Sequence, residues 1–411
     1  MTGLLRNLEG KINKLLGVFP VVMLVGARQT GKTTLSRICR PGWKYFDLEN
    51  GADYDFISRD YSFFFSEYPR EIIIDEAQEA PELFRQLRGV IDAKRSEVGR
   101  FILTGSSSPE LLKEASDSLA GRIAIVEVGT LKMNELQQIP LPQFYTLFEK
   151  EISAESLRQL RTPSPSIDNV LDRFLRGGYP EPLLADDEYV YNVWMENYYQ
   201  TYINRDIKKL FPRLDAIRYR RFVSMLSSLS GTIINKAQLG RSVDVSEVTI
   251  RDYLDIADKT FFWRTVPSYE NSISKSIVKM PKGIVRDSGI NHYLTGIDSR
   301  EKLLRAPQLG HNFESFIIEE IIKGIQATDV TRWDYYYFRT KNGAEVDLIL
   351  EGSFGVLPIE IKIGQQTTLR ESASLQQFIT RERLPFGILV NNSHDVRMLS
   401  EQIIQIPAGC L

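Results

Sequence analysis

Val21-Val-Met-Leu-Val25 runs directly into Gly26-Ala27-Arg28-Gln29-Thr30-Gly31-Lys32-Thr33-Thr34, and that junction decides the first fold. Five consecutive apolar residues read as a short strand buried on both faces, as in a parallel sheet. The eight residues from Gly26 satisfy G-x-x-x-x-G-K-[ST], and the chain then enters a helical stretch. The glycines let backbone N–H groups turn inward around phosphates, and the helix presents its positive end to the same point. Lys32 then lies against the β- and γ-phosphates, and the Thr33 hydroxyl helps to hold Mg²⁺. Gly26 to Thr34 are the expected cradle for ATP.

Downstream, Glu71-Ile-Ile-Ile-Asp75-Glu76 is an apolar strand ending in two carboxylates. Asp75 is placed to bind Mg²⁺ through its water shell, and Glu76 to polarise the attacking water. Phe101-Ile-Leu-Thr104 ends in Gly105-Ser106-Ser107, whose Ser106, or else Thr104, would hydrogen-bond the lytic water or the γ-phosphate. Arg122, just before the apolar run Ile123–Val128, has two readings: a surface arginine, or a finger reaching a neighbouring subunit's nucleotide in a homo-oligomer. The alternation of such strands with helical stretches makes the first 160 residues an α/β domain.

The 411 residues, 43% hydrophobic and 25% charged, have the balance of a globular protein of two or three domains. Two cysteines and three histidines exclude a disulfide framework and a His-rich zinc centre, and point to a reducing cytoplasm. No apolar run approaches the ~20 residues of a spanning helix, so no membrane role is expected. The net charge of −2 conceals an asymmetry: Arg205 to Asp287 hold sixteen Lys/Arg against nine Asp/Glu, a local +7 that leaves −9 elsewhere. That basic middle makes DNA a candidate partner, and a solvated charged surface explains it as well.

The ATPase motifs resemble the archaeal-ATPase-like clade of AAA+ P-loop ATPases. The likeness rests on Arg28-Gln-Thr-Gly-Lys-Thr33, Asp75-Glu76-Ala-Gln78, Leu103-Thr-Gly-Ser106 and Leu119-Ala-Gly-Arg122, and extends to Phe174-Leu-Arg-Gly-Gly178-Tyr-Pro180 and Tyr202-Ile-Asn-Arg-Asp206. It implies an AAA+-like P-loop domain over residues 1–160, a helical and winged-helix-like domain over 168–283, and a restriction-endonuclease-like domain over 284–411. The boundary between the first two falls at the proline-bearing stretch Arg161-Thr-Pro-Ser-Pro-Ser166. In the middle domain, a helix from Lys236, a turn at Gly240 and a second helix over Glu247–Ala257 are expected, with Val248, Tyr253, Leu254 and Ala257 facing inward. Thr249, Arg251 and Asp252 are then offered to a DNA groove or to a protein partner.

Near the C-terminus, Gly343-Ala-Glu-Val-Asp347 and Pro358-Ile-Glu360-Ile-Lys362 read as two strands joined by a turn. Strand alternation projects Glu360 and Lys362 together, and the turn brings Asp347 alongside. Asp347 and Glu360 are hard ligands suited to Mg²⁺ or Mn²⁺, with Lys362 orienting a nucleophile. Glu314 falls within the apolar arc of the preceding helix, whereas Glu319, Glu320 and Lys323 fall outside it, and a metal or Lys362 would relieve its burial. These four residues resemble the D…E-x-K core of restriction-endonuclease-like folds, which implies either metal-dependent cleavage or a silent fold kept for DNA binding or protein assembly.

Overall fold

The computed structural model describes residues 4–106, 115, 117–160, 167–185, 187–269, 278–368 and 370–411, so the expected linker at 161–166 lies outside the described residues. The chain divides into two compact units, Met1–Leu131 with Lys259–Phe261, and Lys132–Asp258 with Phe262–Leu411.

The first unit runs α1 (Leu8–Leu16), β1 (Val21–Gly26), α2 (Lys32–Cys39), β2 (Lys44–Asp47), α3 (Gly51–Arg59), α4 (Tyr61–Glu67), β3 (Ile72–Asp75), α5 (Glu82–Asp92), β4 (Phe101–Ser106) and β5 (Ile123–Glu127). Its five strands lie in the order β2-β3-β4-β1-β5, with every pair parallel. Every residue of β1 is buried, as its unbroken apolar run requires. Strand β2 is not legible in the sequence, because an edge strand is half-exposed and Lys44-Tyr-Phe-Asp carries no apolar run. One face of the sheet packs Met23, Ile74 and Leu103 with Leu83, Leu87 and Ile91 of α5. Parallel pairing carries the last residues of β1, β3 and β4 to one edge, where Gly26 lies opposite Ser106.

In the second unit, residues 132–160 belong to the core built by the C-terminal helices and strands, not to the P-loop domain, unlike the expected boundary at 160. Phe144, Tyr145 and Phe148 pack with Ile317, Ile321 and Phe354. Gly324 makes this possible, since a Cβ there would stand 2.0 Å from the Tyr145 ring. Next come α6 (Ile167–Arg176), α7 (Glu188–Thr201), α8 (Ala216–Ser228), β6 (Thr232–Ile233), α9 (Lys236–Val243), α10 (Glu247–Lys259), β7 (Trp263–Val266) and β8 (Lys282–Val285). The three strands pair antiparallel in the order β6-β8-β7.

The turn between α9 and α10 is not at Gly240. It falls at Asp244, whose φ is +58°. Gly240 sits inside α9 because a Cβ there would approach the Val245 carbonyl oxygen to 2.8 Å. The inner face of α10 is Ile250, Tyr253, Ile256 and Ala257, while Val248 is 61% exposed.

The unit ends with α11 (Ser288–Thr295), α12 (Leu309–Gln326), β9 (Asp334–Arg339), β10 (Glu345–Gly352), β11 (Gly355–Ile361), α13 (Ala373–Glu382), β12 (Gly387–Asn391), β13 (Arg397–Met398) and β14 (Ile403–Pro407). Its mixed sheet runs β13-β14-β12-β11-β10-β9, antiparallel across β9-β10-β11 and parallel across β11-β12-β14. Helix α12 is enclosed from Asn312 onward, so Glu319 and Glu320, which the helical wheel places outside, are buried. Glu319 pairs with Arg264 and Arg286. The Glu320 carboxylate lies 3.2 Å from Lys132 Nζ and 2.8 Å from Lys323 Nζ, and accepts the Met133 N–H at 3.0 Å.

Burial alone would raise the Glu320 carboxyl, but the Lys132 and Lys323 ammoniums hold it down at about 2. Its contribution to stability is therefore complete above its ordinary value of 4.5 and is lost as pH falls towards 2. Glu320→Ala strands Lys132 and should cost about 3–5 kcal/mol. Urea unfolding followed at the tryptophans should show that loss at pH 7, shrinking as both proteins are acidified below pH ~4.

Candidate functional site

At the carboxyl edge of the first sheet the chain must leave β1 beside β5. A Cβ on Gly26 would lie 2.3 Å from the Val128 carbonyl oxygen, so only glycine fits. Gly31, at φ +88°, turns the loop into α2. Within the loop, Lys32 Nζ donates to the carbonyl oxygens of Gly26 (3.1 Å) and Ala27 (2.8 Å). The Thr30 hydroxyl also donates to Ala27, and Arg28 pairs with Glu49 at 2.6 Å. Gln29 and Thr34 are exposed.

Thr33 Oγ1 donates to Asp75 Oδ2 at 2.9 Å, bringing the two expected Mg²⁺ ligands together. Asp75 is only 4% exposed, and both carboxylate oxygens are fixed, one by the Tyr45 hydroxyl (2.7 Å) and Thr33, the other by Thr104. An alcohol and an ionisable carboxylate at hydrogen-bond distance are hard oxygen donors, so these residues fit Mg²⁺. Glu76 leaves the strand with φ +53°, a left-handed conformation uncommon outside glycine, and its carboxylate accepts from the Gln78 amide.

Tyr45 and Arg6 belong to no motif. Tyr45 faces Asp75 because it pairs with Ile73, two residues before Asp75 on the same side of β3. Burial and the Asp75 carboxylate push its phenol far above its usual range, so it stays a donor. Arg6 is buried and donates to the carbonyls of Thr30 (2.8 Å) and Gly129 (2.9 Å), fastening the outside of the loop. Ser106 ends β4 beside Gly26, but its side chain lies outside the described atoms. Arg122 stands at the opposite, amino end of β1, where its carbonyl accepts from Val21. Its guanidinium is bidentate on Asp92 at 2.8 and 2.9 Å and also reaches the Ala120 carbonyl.

The second candidate site lies on α12, β10 and β11 of the second unit. Antiparallel pairing of Leu348 with Ile359 sets Asp347 beside Glu360. Lys362 Nζ donates to Glu360 Oε1 at 2.6 Å, and Asp347 Oδ2 accepts the Ile361 N–H at 2.8 Å. Glu314 does not reach Lys362. Its partner is Lys282, the first residue of β8, whose Nζ lies 2.9 Å from Glu314, 3.1 Å from Glu345 and 3.7 Å from Asp347. His311 Nδ1 is 3.5 Å from Glu314.

Burial would raise the Glu314 carboxyl, but Lys282 and His311 hold it at about 2. Burial and Glu314 push Asp347 up to about 7, and burial with Asp347 pushes Glu360 well above its usual range. Cations of the chain itself already face these oxygens: Lys282 Nζ lies 3.7 Å from Asp347 Oδ1, and Lys362 Nζ lies 2.6 Å from Glu360 Oε1.

A family profile described as "AAA domain" matches residues 18–137, and profiles described as domains of unknown function match 167–301 and 309–411. The uncharacterized proteins Rv2008c of Mycobacterium tuberculosis and Mb2031c of Mycobacterium bovis are each 32% identical over 405 residues, covering 98% of this chain and 83% of theirs. The chain belongs to their family. Among solved structures it is similar to a Walker-type ATPase of Pyrococcus abyssi (15% identity, 70% of this chain and 94% of that one, TM-score 0.39). It is also similar to the RuvB Holliday junction branch migration motor of Thermotoga maritima (18% identity, 64% and 89%, TM-score 0.30). Likenesses this shallow do not bear on function.

The AAA domain, residues 18–137, with its loop, is an ATP-binding ATPase domain. Within it, Tyr45→Phe should weaken nucleotide affinity in Mg²⁺ about tenfold, or ~1.4 kcal/mol, and leave affinity in EDTA unchanged. Titration of a fluorescent ATP analogue under both conditions checks this.

Proposed function

We propose that this protein is an ATP-hydrolysing switch whose nucleotide state controls DNA binding by the second unit, which retains a nuclease-type fold without cleavage. The Thr33–Asp75 contact carries the hydrolytic half. Thr33 and Asp75 would hold Mg²⁺, which supplies charge neutralisation on the β- and γ-phosphates. Lys32 is placed to exchange its loop carbonyls for phosphate oxygens. Glu76, set off the strand by its left-handed turn, orients and deprotonates the attacking water.

Support for DNA comes from topology and charge. The order α8-β6-α9-α10-β7-β8 with sheet order β6-β8-β7 supports a winged-helix reading. The outer face of α10 is not suited to phosphates, since Glu247, Asp252, Asp255 and Asp258 outnumber Arg251 and Lys259, and Arg251 itself lies 3.8 Å from Glu247. The exposed Lys208, Lys209, Arg213, Arg220 and Arg221 are better placed for a backbone contact than Thr249, Arg251 and Asp252.

The antiparallel β9-β10-β11 with β12 parallel to β11, preceded by α12, supports a restriction-endonuclease-like reading. The Lys282 ammonium among its carboxylates favours the silent form of that fold. Arg122 would serve a neighbouring subunit after release from Asp92.

Glu76→Gln should bind ATP as the parent does and turn it over at least 100-fold more slowly. Unchanged turnover would remove the hydrolytic assignment. Duplex DNA should be retarded at 50 mM salt and released by 200 mM, and supercoiled plasmid should stay intact in Mg²⁺ or Mn²⁺. Nicking that is lost in Glu360→Ala would replace the silent reading with cleavage.

A further inference from the structure

Lys282 is 1% exposed, at the start of β8 and 65 positions before Asp347 in the chain. It is surrounded by oxygen: Glu314 from α12 at 2.9 Å, and Glu345 and Asp347 from β10 at 3.1 and 3.7 Å. A second ammonium, Lys362, holds one oxygen of Glu360 at 2.6 Å. The other oxygen, Glu360 Oε2, is buried without a hydrogen-bond partner among the described residues.

We propose that Lys282 is the resident cation of this cluster, excluding divalent metal from it, and that removing the lysine creates a metal site. The inference rests on the reading of the second unit as a silent nuclease-type fold and names the residue that silences it. The reason is electrostatic. An ammonium among three carboxylates satisfies oxygens that a divalent ion would otherwise draw, and an ion admitted beside it meets direct like-charge repulsion. Without Lys282, the carboxylates of Glu314, Glu345, Asp347 and Glu360 keep Lys362 on Glu360, Arg339 on Glu345 at 3.1 Å and His311 3.5 Å from Glu314. Acidic oxygens still outnumber the cations, and a hard cation is drawn to them. Glu360 Oε2 is the oxygen already lacking a partner.

The test is Mn²⁺ binding to the full chain without nucleotide, with free Mn²⁺ counted by electron paramagnetic resonance. Parent, Asp347→Asn, Lys282→Met and Lys282→Met/Asp347→Asn are compared, so that any ion near Asp75 is common to all four. Parent and Asp347→Asn should bind alike. Lys282→Met should take up one further ion, at least tenfold more tightly than the parent, and the double variant should lose it. Mn²⁺ should also raise the melting temperature of Lys282→Met and not that of the parent. If Lys282→Met is unfolded without metal, millimolar Mn²⁺ should fold it. Asp347-dependent Mn²⁺ binding by the parent, no added ion in Lys282→Met, or an unfolded Lys282→Met that Mn²⁺ does not fold would each overturn the proposal. Metal occupancy is read directly, so loss of DNA binding or of ATP turnover leaves the result intact.

Discussion

One hydrogen bond, from Thr33 in the first turn of α2 to Asp75 at the end of β3, joins the two halves of the proposed phosphate site. It exists because β4 lies between β1 and β3 and all three run parallel, so that their carboxyl ends finish at one edge. The apolar runs of those strands drive the sheet together, and the polar residues that end them are left with nowhere else to gather. Tyr45 and Thr104 complete the arrangement from the strands on either side of β3. A buried carboxylate held by three hydroxyls keeps its position before any ligand arrives, which is what a metal-assisted phosphoryl transfer requires.

The second unit solves a related problem with the opposite outcome. Buried and half-buried carboxylates there are matched by lysines and arginines of the chain itself: Glu320 by Lys132 and Lys323, Glu319 by Arg264 and Arg286, Glu314 and Asp347 by Lys282, and Glu345 by Lys282 and Arg339. Most of these pairings tie segments far apart in sequence, so the ion pairs fix which elements enclose α12. At the first site the Asp75 carboxylate is held by neutral hydroxyls, whereas Glu314, Glu345 and Asp347 at the second already face an ammonium.

The phosphate loop and the strand ending in Asp75-Glu76 are legible because their chemistry is local: a few consecutive residues set both backbone path and side-chain role. Asp347, Glu360 and Lys362 are legible from strand alternation, and the hairpin does bring them together. Glu345 could have been found by the same rule, two residues before Asp347 on one face of β10. Lys282 could not, since nothing in Pro281-Lys-Gly283 marks a partner more than thirty residues away. Helical periodicity fails for Glu319 and Glu320 because the wheel assumes a solvent side, and α12 has none around those two residues. Tyr45 escapes notice with its strand, whose edge position removes the apolar run by which buried strands are read.

The most direct measurement is calorimetric titration of the full chain with ATP, in Mg²⁺ and in EDTA, for the parent and Lys32→Ala. Saturable binding of one nucleotide per chain, tightened by Mg²⁺ in the parent and lost in Lys32→Ala, is the predicted result. Equal affinity in the two proteins, or no binding by the parent, would contradict it.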